Sequence, residues 1–247
     1  MNYKIFSSCL SILLSIFFIA KNSLDFSPIR FHCNNYILNS YLYIFLAISI
    51  VFATMFSMDN INIDPSVLFS GSSKFLLLLL SLVLLFFVIT IKPYHFFTIH
   101  LLYFLLIILL SVFIYPIFKY NKDLFYSSGA TTLSILILLS FVAFQYPDII
   151  KDSWGFNLFI ILIGLIILTI IHKILKNYNI IKSNKYNKIF SYVSVIIFSF
   201  YMLYDTKNLI KNSKLCGVKL EPDYINQSLD IILNSVNIFT GITNLKE

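Results

Sequence analysis

Apolar positions along this chain come in long unbroken runs, separated by short polar breaks. The runs are Ile5–Ala20, Tyr36–Met58, Phe75–Ile91, Pro93–Ile117, Leu124–Pro147, Ser153–His172, Ile189–Tyr204 and Tyr224–Leu245, the last interrupted only by Asp230. A helix crossing a bilayer needs about 20 apolar residues, with a range of about 17–25. The runs fit that length, and their continuous rather than alternating apolarity excludes a closed β-barrel. The pattern predicts an all-α membrane protein, a seven-helix bundle preceded by one extra N-terminal hydrophobic helix. The breaks are Lys92-Pro93, Asn121–Asp123, a polar loop at Asn177–Lys188 and a longer one at Lys207–Asp223, where Pro222-Asp223 reads as a helix start. Met1–Lys4 followed by an apolar stretch resembles a signal peptide, but Ala20-Lys21-Asn22 is a poor cleavage site. The first run is therefore expected to remain as an anchor, giving an anchor and linker at 1–35 and a membrane domain at 36–247.

Composition supports this class. Of 247 residues, 59% are hydrophobic and only 12% charged, with a mean hydropathy of +0.87; soluble domains carry about 25% charged residues. The net charge of +7 is spread through the loops, including Lys173, Lys176, Lys182, Lys185 and Lys188. Beside a membrane span, such a run favours anionic lipid headgroups over nucleic acid. Basic loop residues divide ten against eight between the two sides of eight spans, too even for the positive-inside rule to set orientation. Cys9, Cys33 and Cys216 show no metal spacing and no evident disulfide framework; free thiols are expected.

Two ionisable positions break the apolar pattern near the carboxyl end. Asp205 ends the run Ser191–Tyr204, with Tyr201 one turn before it. In the last run, Asn226, Asp230, Asn234 and Asn237 recur at spacings of four, four and three, which places them on one helical face. A carboxylate at the bilayer centre costs about 2.5–3.5 kcal/mol on insertion scales, so this face should look into the bundle or a water-filled cavity. Two readings remain open: hydrogen-bonding glue between helices, or a hydrated ion path. Consecutive antiparallel helices bring Asp205 and Asp230 within reach of each other. Two close carboxylates at low dielectric titrate as a coupled unit and can hold a divalent cation when deprotonated. Lys92 and Lys207 are candidate cationic competitors for that charge.

Enzymatic chemistry finds little support. Tyr204-Asp205 satisfies half of an intramembrane aspartyl protease pattern, but no Gly-x-Gly-Asp accompanies it. Gly71 and Gly129 lack the context of a serine-type site, and His32, His95, His100 and His172 are dispersed. The expectation is a protein that is not an enzyme and has no cofactor or structural metal.

The same residues carry a family resemblance. "FYMLYDTKNLIKN" (200–212) followed by "DYINQSLDIILNSVNIF" (223–239) resembles the C-terminal signature of the Bax inhibitor-1 family, the transmembrane BAX inhibitor motif-containing proteins. "SGATTLSILILLSFVAFQYPDII" (128–150) resembles the family's middle helix, and "LNSYLYIFLAISI" (38–50) its first core helix. "INQSLDIILNSVNIF", the lysine-containing loop before it and the extra N-terminal segment are similar to the growth-hormone-inducible, mitochondrial-type branch. The resemblance implies a pH-sensitive Ca2+ leak channel or Ca2+/H+ exchanger of an intracellular membrane, with an anti-apoptotic role; Ca2+ is the permeating ion. The endoplasmic reticulum, Golgi and mitochondrial inner membrane are the implied locations. Implied partners are the lipid bilayer, Ca2+ and H+, and cell-death regulators in the membrane. The alternative is a non-conducting scaffold that modulates cell-death or channel partners. In the family an aspartate pair on the last two core helices senses pH and gates. Asp205 matches the first aspartate. Counted from Asp223, the second falls at Asn234, while Asp230 stands one turn earlier on the same face, about 5.4 Å along the axis. Lys92 falls where some members place a basic residue that latches the first aspartate.

Overall fold

The computed structural model describes residues 3–26, 29–177 and 185–247. Nine α-helices occur among them: α1 (Tyr3–Ser23), α2 (Tyr36–Asn60), α3 (Pro65–Leu68), α4 (Gly71–Thr90), α5 (Phe96–Tyr120), α6 (Lys122–Gln145), α7 (Trp154–Asn177), α8 (Lys185–Leu215) and α9 (Tyr224–Lys246). Each of the eight apolar runs lies within or largely within one long helix. Seven of these, all but α9, are long and apolar enough to cross a membrane. At 23 residues α9 has the length but not the apolarity. Its polar residues are tolerated because much of it is covered by protein: Tyr224, Ile225, Ser228, Leu229, Ile231, Asn234, Ile238 and Thr243 are all buried. Hence it does not have to satisfy lipid on every side.

Local sequence sets the breaks. Ile91 is extended where α4 ends, one residue before Lys92, for which Pro93 disfavours the helical region. Asp64 caps the short α3, accepting from the Ser66 backbone N–H at 2.9 Å, with Pro65 in the first turn, where its missing N–H costs nothing. Between α1 and α2 a small antiparallel hairpin, β1 (Leu24–Phe26) and β2 (Ile29–Phe31), pairs Leu24 with Phe31. Sequence periodicity did not announce it, since three-residue strands are too short for a repeat.

The chain forms two compact units, Met1–Lys122 with Asn212–Leu229, and Asp123–Lys211 with Asp230–Glu247. In the first, α1 packs along α2, and α2 and α4 both pack on α5. Its core is aromatic: the Tyr224 ring lies 5.0 Å from those of Phe31 and Tyr36, and Tyr103 donates from its hydroxyl to the Tyr43 carbonyl at 2.9 Å. Asp59 pairs with Lys119 and Lys122, both at 2.9 Å. In the second unit Phe125 meets Phe239 edge to face at 5.6 Å, and Trp154 meets Phe200 at 5.5 Å.

Two expectations are corrected. Cys33 and Cys216 are joined in a disulfide across a separation of 183 residues, and only Cys9 is a free thiol. A separation that long carries no local spacing signal. The helix expected to end at Tyr204 continues to Leu215. Its extension is amphipathic: Thr206 and Leu209 are fully buried, while Lys207 and Lys211, one turn apart, both reach Asp152. The remaining polar connection is thus short. Of the other predicted polar loop, residues 178–184, with Lys182, lie outside the described residues.

Candidate functional site

Within the second unit, α7, α8 and α9 enclose a groove of about 690 Å³. Asp205 and Tyr201 reach it from α8, and Asp230, Asn234 and Asn237 from α9; Leu162, Ile166 and Ile170 of α7 form an apolar wall. The spacing of Asp230, Asn234 and Asn237 delivers all three to this wall of α9. The Asn234 side-chain amide donates to the Asp205 carboxylate at 2.7 Å. Asn234 is buried, Asp205 half-buried and Asp230 exposed. Asn237 donates back to the Leu233 carbonyl at 2.9 Å, which leaves its side-chain oxygen available to the groove.

The remaining sequence-predicted residues lie elsewhere. Asp223 caps α9, accepting from the Asn226 backbone N–H at 3.2 Å and from the Asn226 side-chain amide at 2.8 Å. Asn226 therefore serves the start of the helix and is not part of the groove wall. Burial raises the Asp223 carboxyl above its usual value, and the Asn226 bonds partly offset this. Lys92 lies in the α4–α5 connection of the first unit, its Nζ 5.9 Å from the Tyr94 ring centroid. Lys207 does not compete for the groove acids. It donates to Asp152 at 2.7 Å and to the Ile150 carbonyl, fixing the 3-10 turn at Pro147–Ile149 to α8. The lysines hold the Asp152 carboxyl below its usual range. His100 is packed, bonded through Nε2 to the Tyr43 hydroxyl and through Nδ1 to the Phe96 carbonyl, both at 2.6 Å.

The donor set is hard oxygen: two carboxylates and two amides on facing helices. Ca2+ takes 6–8 oxygen ligands at about 2.3–2.6 Å. The groove offers fewer, so a cation there keeps part of its water. Among the described residues no group of three or more His, Cys, Asp or Glu side chains is placed to hold a metal ion.

The family described as "inhibitor of apoptosis-promoting Bax1" matches residues 33–245. This chain belongs to the Bax inhibitor-1 family. The match takes in every residue of the groove and leaves α1 outside. No curated protein matches the chain. Asp205 and Asp230, singled out in the sequence, line the same groove, whereas its third wall left no signal there. Thr169 and the leucines and isoleucines of α7 look like any lipid-facing span, and only tertiary packing assigns them to the site.

Proposed function

We propose that this Bax inhibitor-1 family protein is a pH-sensitive Ca2+ leak channel or Ca2+/H+ exchanger of an intracellular membrane. The supporting observation is that Asp205 and Asp230 line one groove together with the Asn234 and Asn237 amides. Carboxylates ligate a cation only when deprotonated, so protons and Ca2+ compete for the same oxygens. A partial ligand shell suits a permeating ion, which must leave as readily as it enters. Nothing in this reading requires catalysis or a cofactor.

Suppression of cell death and contact with cell-death regulators in the membrane are part of the same proposal, supported by family membership. The growth-hormone-inducible branch remains a reading of "INQSLDIILNSVNIF". The Cys33–Cys216 disulfide favours an oxidising lumen, such as that of the endoplasmic reticulum, on the side of the membrane where it lies.

The alternative, a non-conducting scaffold, draws support from the Asn234–Asp205 bond, which is also interhelical glue. Purified protein in liposomes loaded with a Ca2+ dye separates the two. Flux that rises or falls with pH and drops in Asp205→Asn and Asp230→Asn supports conduction; parent flux no greater than that of protein-free liposomes supports the scaffold.

A further inference from the structure

The acid groove does not end at Asn237. A second hollow of about 610 Å³ lies between the same three helices and shares Leu165, Thr169, Ser194 and Asn237 with the first. It runs on to His172, Asn187 and Asn244. The shared residues make the two hollows neighbours along one track, a seam of the three helices.

Sequence spacing explains the track. On α8 the lining positions include Asn187, Ser191, Ser194, Phe198, Tyr201 and Asp205, at intervals of four, three, four, three and four, with Lys188 and Phe190 beside Asn187 at the far end. On α9 they include Asp230, Asn234, Asn237, Gly241 and Asn244, at four, three, four and three, flanked by Leu233, Thr240 and Glu247. Alternating threes and fours keep one side of each helix on a common seam, and both seams are mainly polar. At 1.5 Å per residue, Asn187 to Asp205 rises about 27 Å, close to the roughly 30 Å of a hydrocarbon core. Gly241 allows the two seams to lie close: a Cβ there would stand 2.6 Å from Val195 Cγ2 and 3.3 Å from the Ser191 carbonyl oxygen.

At the far end, buried His172 meets the Asn187 side-chain oxygen through Nε2 at 3.0 Å, tying α7 to α8. The Tyr186 and Phe190 rings lie 5.7 and 5.4 Å from the imidazole. One hydrogen bond between helices needs one or two polar residues. A polar seam rising about 27 Å on α8 and about 21 Å on α9 is far more than glue requires, and in hydrocarbon its unsatisfied groups would each cost several kcal/mol.

We infer that the route of the hydrated cation runs lengthwise between α7, α8 and α9, from Asp205 and Asp230 to a second mouth closed by the His172–Asn187 pair. This rests on the conduction proposed above. Ser194 lies midway, and His172 is a positioning residue that holds the mouth shut.

The test uses full-length protein in Ca2+-dye liposomes, in a Cys9→Ala background, with Ser194→Cys compared before and after reaction with a water-soluble cationic methanethiosulfonate. Modification is expected to cut Ca2+ flux by about fivefold or more, as a fixed positive charge in a cation path should. Ile167→Cys, exposed on α7 and outside the track, is expected to show no change. His172→Ala is expected to raise flux by opening the mouth. Quantitative modification at position 194 without loss of flux, or failure of the reagent to reach it, overturns the inference. If Asp205→Asn still abolishes flux in that case, the proposed function stands and only the route is wrong. Absence of flux in the unmodified parent overturns both.

Discussion

Asn234 on α9 donates its side-chain amide to the carboxylate of Asp205 on α8 at 2.7 Å. The position where the family resemblance places a second aspartate is therefore in direct contact with the first. In this chain an amide stands at that position, and Asp230, one turn earlier, lines the same groove.

That contact gives the first prediction. Asn234→Ala leaves a largely covered carboxylate without its donor, and a hydrogen bond to a charged group is worth about 1.5–3 kcal/mol. A lower Tm in detergent, read by tryptophan-independent dye unfolding, is expected for Asn234→Ala. Asn234→Asp instead sets two carboxyl groups at hydrogen-bonding distance, which must then share a proton near neutral pH. The expected result is a flux–pH curve steeper than that of the parent.

Asp223 gives a prediction with a defined pH sign. Burial raises its carboxyl in the folded state, so the folded protein favours the protonated form. The stability this contributes is fully present below the unfolded value, near 3.9, and is lost as pH rises through the folded value. Asp223→Asn keeps a capping oxygen without the charge. It should match the parent at pH 4 and exceed it in Tm at pH 7. Asp223→Ala loses the bonds to Asn226 and should fall by about 1 kcal/mol at pH 4, with a smaller deficit at pH 7, where the parent has lost the stability of the protonated form.

The disulfide predicts different behaviour in the two redox states. Cys33–Cys216 links the α1–α2 connection to the segment after α8. Bonds of this kind contribute typically 2–4 kcal/mol, less where spans stay inserted on unfolding. Non-reducing gels should show faster migration of the parent than of Cys33→Ser, and reductant should lower the parent's Tm towards that of the variant.

Gly241 predicts a packing defect with a specific rescue. Val195 is β-branched and stiff, so a methyl group at 241 forces the helices apart, at about 1–3 kcal/mol. Gly241→Ala should lower Tm, and adding Val195→Ala should recover most of the loss in a double-mutant cycle.

Much of this was legible in the chain. Unbroken apolar runs specify spans almost by length alone, which is why α2, α5 and α6 fall close to their expected bounds. The Asp230, Asn234, Asn237 stripe was legible because a helical repeat makes a face visible in one dimension. Asn226 shared the spacing but not the role: Asp223, three residues before it, captures it as part of a cap. Pairings between distant residues left no local trace. Cys33 with Cys216 and Lys207 with Asp152 depend on which helices become neighbours, and a lysine run after a span reads as loop until its partner is known. The polar seam of α8 was hidden because serine is common in apolar helices and because Phe198 and Tyr201 sit within it.

The most direct measurement is Ca2+ flux into liposomes carrying the purified protein, followed across pH for the parent, Asp205→Asn and Asp230→Asn. The expected result is pH-dependent flux in the parent and a strong reduction in each variant, with all three proteins folded to comparable Tm. Parent flux that either variant leaves intact at every pH would contradict it.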